Sequence, residues 1–373
     1  MDAGSGSAVT HRIAFDTTVS KLGATGISVY ITNLVRALRP LLGHRLEILE
    51  SHWAAPVGPR RTVGDRVRTV LRDLWWHQGG VSRAARRAGC GLLHLPAGVG
   101  PIHGRLPLVV TIHDVAVLRF PRLFRPWHGT YARAVLPRVV RRARRVIAVS
   151  QATKQDILEL LGLPNERVTV VYNGVPRFAE QDLQQSSRNT SVRARYRLPE
   201  RFVLAVGELD PRKNLERLVA AVDYLRTRPK TSDLALVHAG PEGLLRRAEL
   251  QGAGAVHFLG YVPVADLFEL YRLARCCAYP SLWEGFGLPV LEAMAAGCPV
   301  VTSAISAPAE IAGETALLVD PMSTDEIASA LERLWTDDGL RADLARRGLA
   351  RAREFTWERA ARETAAVYES VLD

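Results

Sequence analysis

Cysteine is scarce in this chain: Cys90, Cys276, Cys277 and Cys298 are all there are, and no two form a C-x-x-C pair. A thiol-redox motif is thereby excluded, and the four read as small core residues in a reducing compartment. No apolar run approaches the ~20 residues that a bilayer-spanning helix needs, and no signal-peptide pattern opens the sequence. The expectation is a soluble, cytoplasmic protein. The triplet Asp-x-Asp, which in many enzymes holds a metal for phosphate chemistry, occurs nowhere. Neither a metal nor another cofactor is expected. No short-period tandem repeat is evident. The dispersed basic residues come with no recognised nucleic-acid motif, so nucleic acid is not an expected partner.

What the chain does have is length, alternation and lopsided charge. Its 373 residues are too many for one comfortable core and suit two α/β domains. Residues 1–150 hold 23 Lys and Arg against 7 Asp and Glu, and the remainder holds 26 against 31, so the net +11 arises in the first half. An Arg-rich composition inherited from a GC-rich genome explains this as readily as a function does. The functional alternative is an anionic membrane surface, or a phosphate-bearing acceptor, facing the basic half. Trp75 and Trp76 pose the same choice between an interfacial anchor and a helix packed on its sheet, the latter being favoured. The arginines from Arg138 to Arg145 read as a solvated helix face.

Strand-like and helix-periodic runs alternate along the chain. Strands are expected at 12–16, 45–50, 92–96, 106–114, 145–150 and 168–173. A second series falls at 202–207, 234–240, 256–260, 276–280 and 299–302, completed by 308–311 and 316–320. Helices are expected from Gly26 to Pro40, at 126–145, at 150–161 capped by Ser150, from near Asn214, up to Gln251, at 264–275, and from near Leu288. This alternation argues for doubly wound parallel sheets. The polar, unpatterned stretch 176–200 is the expected linker. It divides an N-terminal domain, 1–175, from a C-terminal one, 201–354, followed by a last helix in 355–373.

Candidate site residues cluster at strand ends. The run LPLVVTIHD is apolar until its C-terminal end, which in an open parallel sheet borders the ligand crevice. His113 and Asp114 therefore stand where chemistry usually occurs, although a lone strand-end histidine also serves as a local hydrogen-bonding group. Gly26 closes a strand–loop–helix turn that lacks the full G-x-G-x-x-G, so a plain loop is an equal reading. After the strand at 202–207, ELDPRKN brings Arg212 and Lys213 to a helix start, where adjacent cations can clamp a diphosphate. Alone, such a pair is ordinary surface charge.

The densest stretch is PSLWEGFGLPVLEAMAAGCPVVTS, residues 280–303. It reads as a strand end, a loop through Gly285, Phe286 and Gly287, a helix opening at Leu288 with Pro289 in its first turn, and another strand. Glu284 and Glu292 bracket the helix N-terminus, whose free N–H groups form an anion site. Capping electrostatics alone would produce either feature. Together, backbone donors for phosphate and carboxylates for hydroxyls are what a nucleotide sugar requires.

The spacing E-x7-E around GFGLPVL resembles the signature of the retaining family-4 glycosyltransferases, and the likeness runs from about Ile13 to Tyr368. The resemblance implies the GT-B fold: two Rossmann-like doubly wound domains facing across a cleft, with the last helix returning to the first. It implies that Gly26 lies beside the donor diphosphate, that His113 faces the donor sugar with Asp114 orienting it or touching substrate, and that Asn173 lies near the cleft. In the family, G-x-x-x-P-R-K-N clamps the diphosphate, which assigns Arg212 and Lys213. The carry-over gives sugar hydroxyls to Glu284 with the N–H groups of Gly285, Phe286 and Gly287, places Leu288 in the same donor loop, and gives the ribose to Glu292. One departure is Glu208, where some members carry Arg. The implied activity is metal-independent, retaining transfer of a hexose, GDP-mannose being the first choice of donor. The expected acceptor is a glycan, a glycolipid or another hydroxyl; the basic N-terminal half, rather than the resemblance, adds the expectation of peripheral contact with an anionic inner membrane face. A nucleotide-sugar epimerase or hydrolase of the same fold, and a non-catalytic glycan-binding protein, are the alternatives.

Overall fold

The structure is a computed structural model that describes residues 11–22, 26–50, 71–121, 126–175, 192–245, 247, 250 and 256–373. The chain divides into two compact units, one made of Met1–Val149, Lys154–Tyr172 and Trp357–Asp373, the other of Ser150–Thr153 and Asn173–Thr356. The expected glycine loop at 23–25, part of the Arg- and Trp-containing stretch at 51–70, most of the linker at 176–191 and the helix end at Gln251 lie outside the described residues.

The first unit holds a six-stranded sheet of β1 (Arg12–Asp16), β2 (Leu46–Leu49), β3 (Cys90–Leu95), β4 (Leu108–Ile112), β5 (Arg145–Ala148) and β6 (Val168–Val170). The strands lie in the order β2-β1-β3-β4-β5-β6, all parallel. Every residue of β4 is buried, as a strand covered by helices on both faces requires. One apolar cluster of the unit joins Ile13 and Phe15 to Tyr30, Ile31 and Leu34 of helix Gly26–Leu42, and to Trp357, Ala360, Ala361 and Tyr368 of helix Trp357–Leu372.

The second unit repeats the plan with β7 (Val203–Val206), β8 (Leu236–Ala239), β9 (Val256–Gly260), β10 (Cys276–Tyr279), β11 (Val300–Ser303) and β12 (Leu317–Val319). Their order, β12-β11-β10-β7-β8-β9, is again parallel throughout. From β7 the chain winds outward through β8 and β9, then returns to lay β10 against the other side of β7. The strand order thus reverses between β7 and β10, the position at which open α/β sheets leave a crevice beyond their carboxyl ends.

The fold is the α/β class read from the sequence, two doubly wound parallel sheets. Two local readings are corrected. The expected strand at 308–311 lies inside helix Ser306–Ala312, where Pro308 falls in the first turn and its missing N–H costs no hydrogen bond. Pro40 does not end the first helix, which continues to Leu42 with the proline in its last turn. Helices Thr324–Thr336 and Asp338–Ala352, capped by the side chains of Ser323 and Asp337, add to what the sequence reading named. All four cysteines are buried as free thiols.

Candidate active site

In the second unit, the loops that follow β7 and β10 meet at the reversal point. Gly207 leaves β7 with φ +129, and a Cβ on Gly240 at the end of β8 would fall 1.8 Å from the Gly207 carbonyl oxygen. Only glycine lets these backbones approach so closely. The loop then forms a short turn, Pro211–Lys213, capped by Asp210, whose carboxylate accepts the Arg212 N–H at 2.8 Å. Asn214 follows in the left-handed region at φ +59, and its amide donates to the carbonyls of Pro280 and Pro321. The turn bearing the cations is thereby fixed to the end of β10.

Lys213 Nζ donates to Glu284 Oε1 and to Tyr279 Oη, both at 2.6 Å, while Tyr279 Oη donates to the same carboxylate oxygen at 2.9 Å. Burial pulls the Lys213 pKa down, but the Glu284 carboxylate and Tyr279 outweigh it and leave the ammonium firmly charged. The Tyr279 phenol is pushed up, by burial first and by the carboxylate second. Lys213, Tyr279 and Glu284 therefore form one preassembled cluster. Arg212 does not join it: its guanidinium folds back onto Asp210, with Nη2 3.0 Å from Oδ2 and Nε 3.1 Å from Oδ1.

Beyond Glu284 the loop is closely held. Ser150 Oγ and Thr153 Oγ1, which belong to this unit, donate to the Gly285 carbonyl at 2.7 and 3.0 Å. The Phe286 ring is buried edge-on to Phe355. Gly287 takes φ +91 and opens helix Leu288–Ala295, with Pro289 in its first turn. Glu292, one turn on, accepts the Tyr271 hydroxyl at 3.0 Å on Oε2. Burial raises its carboxyl to about 7, against the opposing pull of the Tyr271 hydroxyl. Glu310 accepts the N–H groups of Gln151 and Ala152 at the start of helix Gln151–Leu161. Asn173 is buried, and its Oδ1 has no hydrogen-bond partner among the described residues.

In the first unit, His113 and Asp114 follow β4 directly. His113 Nε2 donates to the Pro96 carbonyl at 2.8 Å, and its ring stands edge-on to Tyr30 at 4.6 Å. Burial lowers its pKa, opposed by the Pro96 carbonyl and by the Asp114 charge, so the ring is neutral. Asp114 Oδ1 accepts the Ala116 N–H at 2.9 Å, capping the next turn. Gly26 is exposed at the start of its helix. A buried chain of hydrogen bonds underlies this face: Tyr30 Oη to Thr111 Oγ1 at 2.9 Å, Thr111 to His94 Nε2 at 2.8 Å, and His94 Nδ1 to Tyr368 Oη at 2.5 Å. Burial drops the His94 pKa to about 3, so it too stays neutral.

The sequence reading missed Tyr279, Tyr271 and Asp210. Tyr279 ends the apolar run CCAY, where a tyrosine passes for a strand residue, and only Asp210 carried a visible signal, as an N-cap before Pro211. Of the Trp pair, Trp76 packs against the first unit's core with Nε1 3.4 Å from the Asp16 carboxylate. Trp75 is 58% exposed.

Comparison with known proteins gives a consistent result. Residues 24–177 match the model of glycosyltransferase family 4, and residues 189–351 that of glycosyl transferases group 1. The chain is 31% identical over 274 residues to the O-antigen chain mannosyltransferase B of Escherichia coli, covering 70% of each chain. It is 32% identical over 347 residues to the MMP alpha-(1->4)-mannosyltransferase of Mycolicibacterium hassiacum, covering 88% of this chain and 79% of that one. Among solved structures, the sucrose-phosphate synthase of Thermosynechococcus elongatus superposes with a TM-score of 0.72 at 20% identity, over 97% of this chain and 99% of that one.

Proposed function

The chain belongs to the family-4 glycosyltransferases, and on that premise we propose that it transfers mannose from GDP-mannose to a hydroxyl of a glycan or lipid-linked acceptor, with retention of anomeric configuration. The observation that carries the reading is the Lys213–Tyr279–Glu284 cluster at the β7/β10 reversal point. Departure of the nucleotide leaves a diphosphate whose negative charge must be met by donors already in place. Lys213 has two of its three protons committed within the cluster. The third is available to a phosphate oxygen. Glu284 accepts sugar hydroxyls beside it, and Glu292 accepts the ribose hydroxyls through the oxygen that Tyr271 leaves unused. The N-terminus of helix Leu288–Ala295 adds its dipole to the same charge balance. With no Asp-x-Asp in the sequence, fixed cations rather than a metal are assigned this stabilisation. Retention is assigned to front-face attack, in which the departing phosphate takes the acceptor proton. Lys213 holds that phosphate in position, and no side chain is assigned as general base.

Thermal-shift measurements with GDP-, UDP- and dTDP-sugars test the donor. GDP-mannose is expected to stabilise most, and a larger shift from another base would replace it. Product release is expected to persist in EDTA, and loss of turnover on chelation would overturn the metal-free assignment. The basic first half supports peripheral binding to anionic membranes through helix 71–80, where Leu71, Leu74 and Trp75 are 36%, 47% and 58% exposed. Trp75→Ala is expected to weaken co-sedimentation with phosphatidylglycerol vesicles severalfold. Equal sedimentation of the two proteins would remove this membrane role.

A further inference from the structure

Ser306 adopts φ +63, one of three non-glycine residues with positive φ among those described. Another, Asn214, is of a type that tolerates the left-handed region, whereas serine there is strained. Glycine would meet the conformation without strain. The fold alone therefore gives no reason for a side chain at this position.

The hydroxyl supplies one. Ser306 Oγ donates to the Glu284 carbonyl at 2.6 Å and accepts the Glu284 N–H at 3.3 Å. No other hydrogen bond reaches the Glu284 backbone among the described residues. A hydroxyl has one donor and two lone pairs, and Ser306 uses both kinds on the one residue that carries the carboxylate of the Lys213–Tyr279–Glu284 cluster. The bonds join the first residue of helix Ser306–Ala312 to the loop after β10, so the strained residue ties together two segments that no strand pairing connects. We infer that Ser306 is a positioning residue that sets the height of Glu284 for the donor sugar, and that its strained backbone is retained for this purpose. The inference rests on the proposed role of Glu284 toward the sugar.

Calorimetric titration of wild type, Ser306→Gly, Ser306→Ala and Glu284→Ala with GDP and GDP-mannose tests it, with UDP and UDP-glucose as a second pair. Ser306→Gly is expected to melt no lower than wild type, because the strain is gone. Its GDP affinity should stay within twofold, while its GDP-mannose affinity falls about tenfold, the scale of a displaced contact group. Ser306→Ala should show the same selective loss. A purely structural serine would instead shift melting temperature and leave the ratio of sugar-nucleotide to nucleotide affinity unchanged. That unchanged ratio, with a reduced ratio in Glu284→Ala, overturns the positioning role alone. Failure of wild type to bind either pair overturns the functional reading and this inference with it.

Discussion

At the residue scale, Lys213 and Glu292 each make a prediction. Lys213→Ala removes the ammonium proposed to meet the leaving diphosphate and is expected to lower turnover about 10²- to 10³-fold, read as nucleotide release. Glu292 titrates in an unusual range: burial raises its carboxyl from 4.5 to about 7, so the folded state holds the proton more tightly than the unfolded chain does. Stability from this group is present below pH 4.5 and is lost as pH rises toward 7. Glu292→Gln, which cannot ionise, is therefore expected to raise the melting temperature relative to wild type at pH 8 and to leave it nearly unchanged below pH 4.5. The same variant should bind the nucleotide more weakly at pH 8, since it loses the charged acceptor proposed for the ribose. A melting-temperature difference that ignores pH would show that the carboxyl is not the desolvated group described. Lys213 and Glu284, which the structure brings together, each had a motif around them in the sequence. Tyr279 and Ser306 were not legible there, because one depends on which face of β10 a tyrosine takes and the other on a φ that no composition reveals.

At the element scale, the site follows from the ends of strands. Gly240 closes β8 against Gly207, and a methyl group there would overlap backbone rather than a movable side chain. Gly240→Ala is expected to destabilise the protein by about 3 kcal/mol or more, visible as a large drop in melting temperature, because neither backbone can yield without displacing the turn that carries Lys213. Strands were read to within a few residues because a parallel sheet buried on both faces writes itself as uninterrupted apolar runs, as in β4 and β11. The segment 308–311 misled because Pro308 and Ile311 fit an edge strand locally, whereas the helix there is fixed by its position after β11. Helices Thr324–Thr336 and Asp338–Ala352 escaped for another reason. The charged faces of Asp338–Ala352 dilute its apolar period, whereas Thr324–Thr336 buries Ile327, Leu331 and Leu334 at plain helical spacing, and Ser323 and Asp337 are ordinary N-cap residues, so both helices carried signals that the reading passed over.

At the scale of the whole molecule, both sheets are doubly wound, but the first reverses after one outward strand, between β1 and β3, and the second after two, between β7 and β10. The first unit also depends on helix Trp357–Leu372, whose Trp357 and Tyr368 are buried with Ile13, Phe15 and Tyr30. Its Tyr368 hydroxyl completes the buried chain that runs through His94 and Thr111 to Tyr30. Ending the chain at residue 356 is expected to unfold the first unit while the second unit's sheet persists. The readout is loss of amide protection confined to β1–β6. Uniform loss in both units would show that they fold as a single cooperative block.

That dependence on Trp357–Leu372 has a consequence for synthesis. The amino-terminal half emerges from the ribosome long before the segment that seals it, and must wait, with the cluster of Ile13, Phe15 and Tyr30 only partly covered, while the intervening 180-odd residues are translated. A nascent chain of this design offers sticky surface early and conceals it late, so its demand for chaperones is expected to fall once helix Trp357–Leu372 has left the exit tunnel and packed.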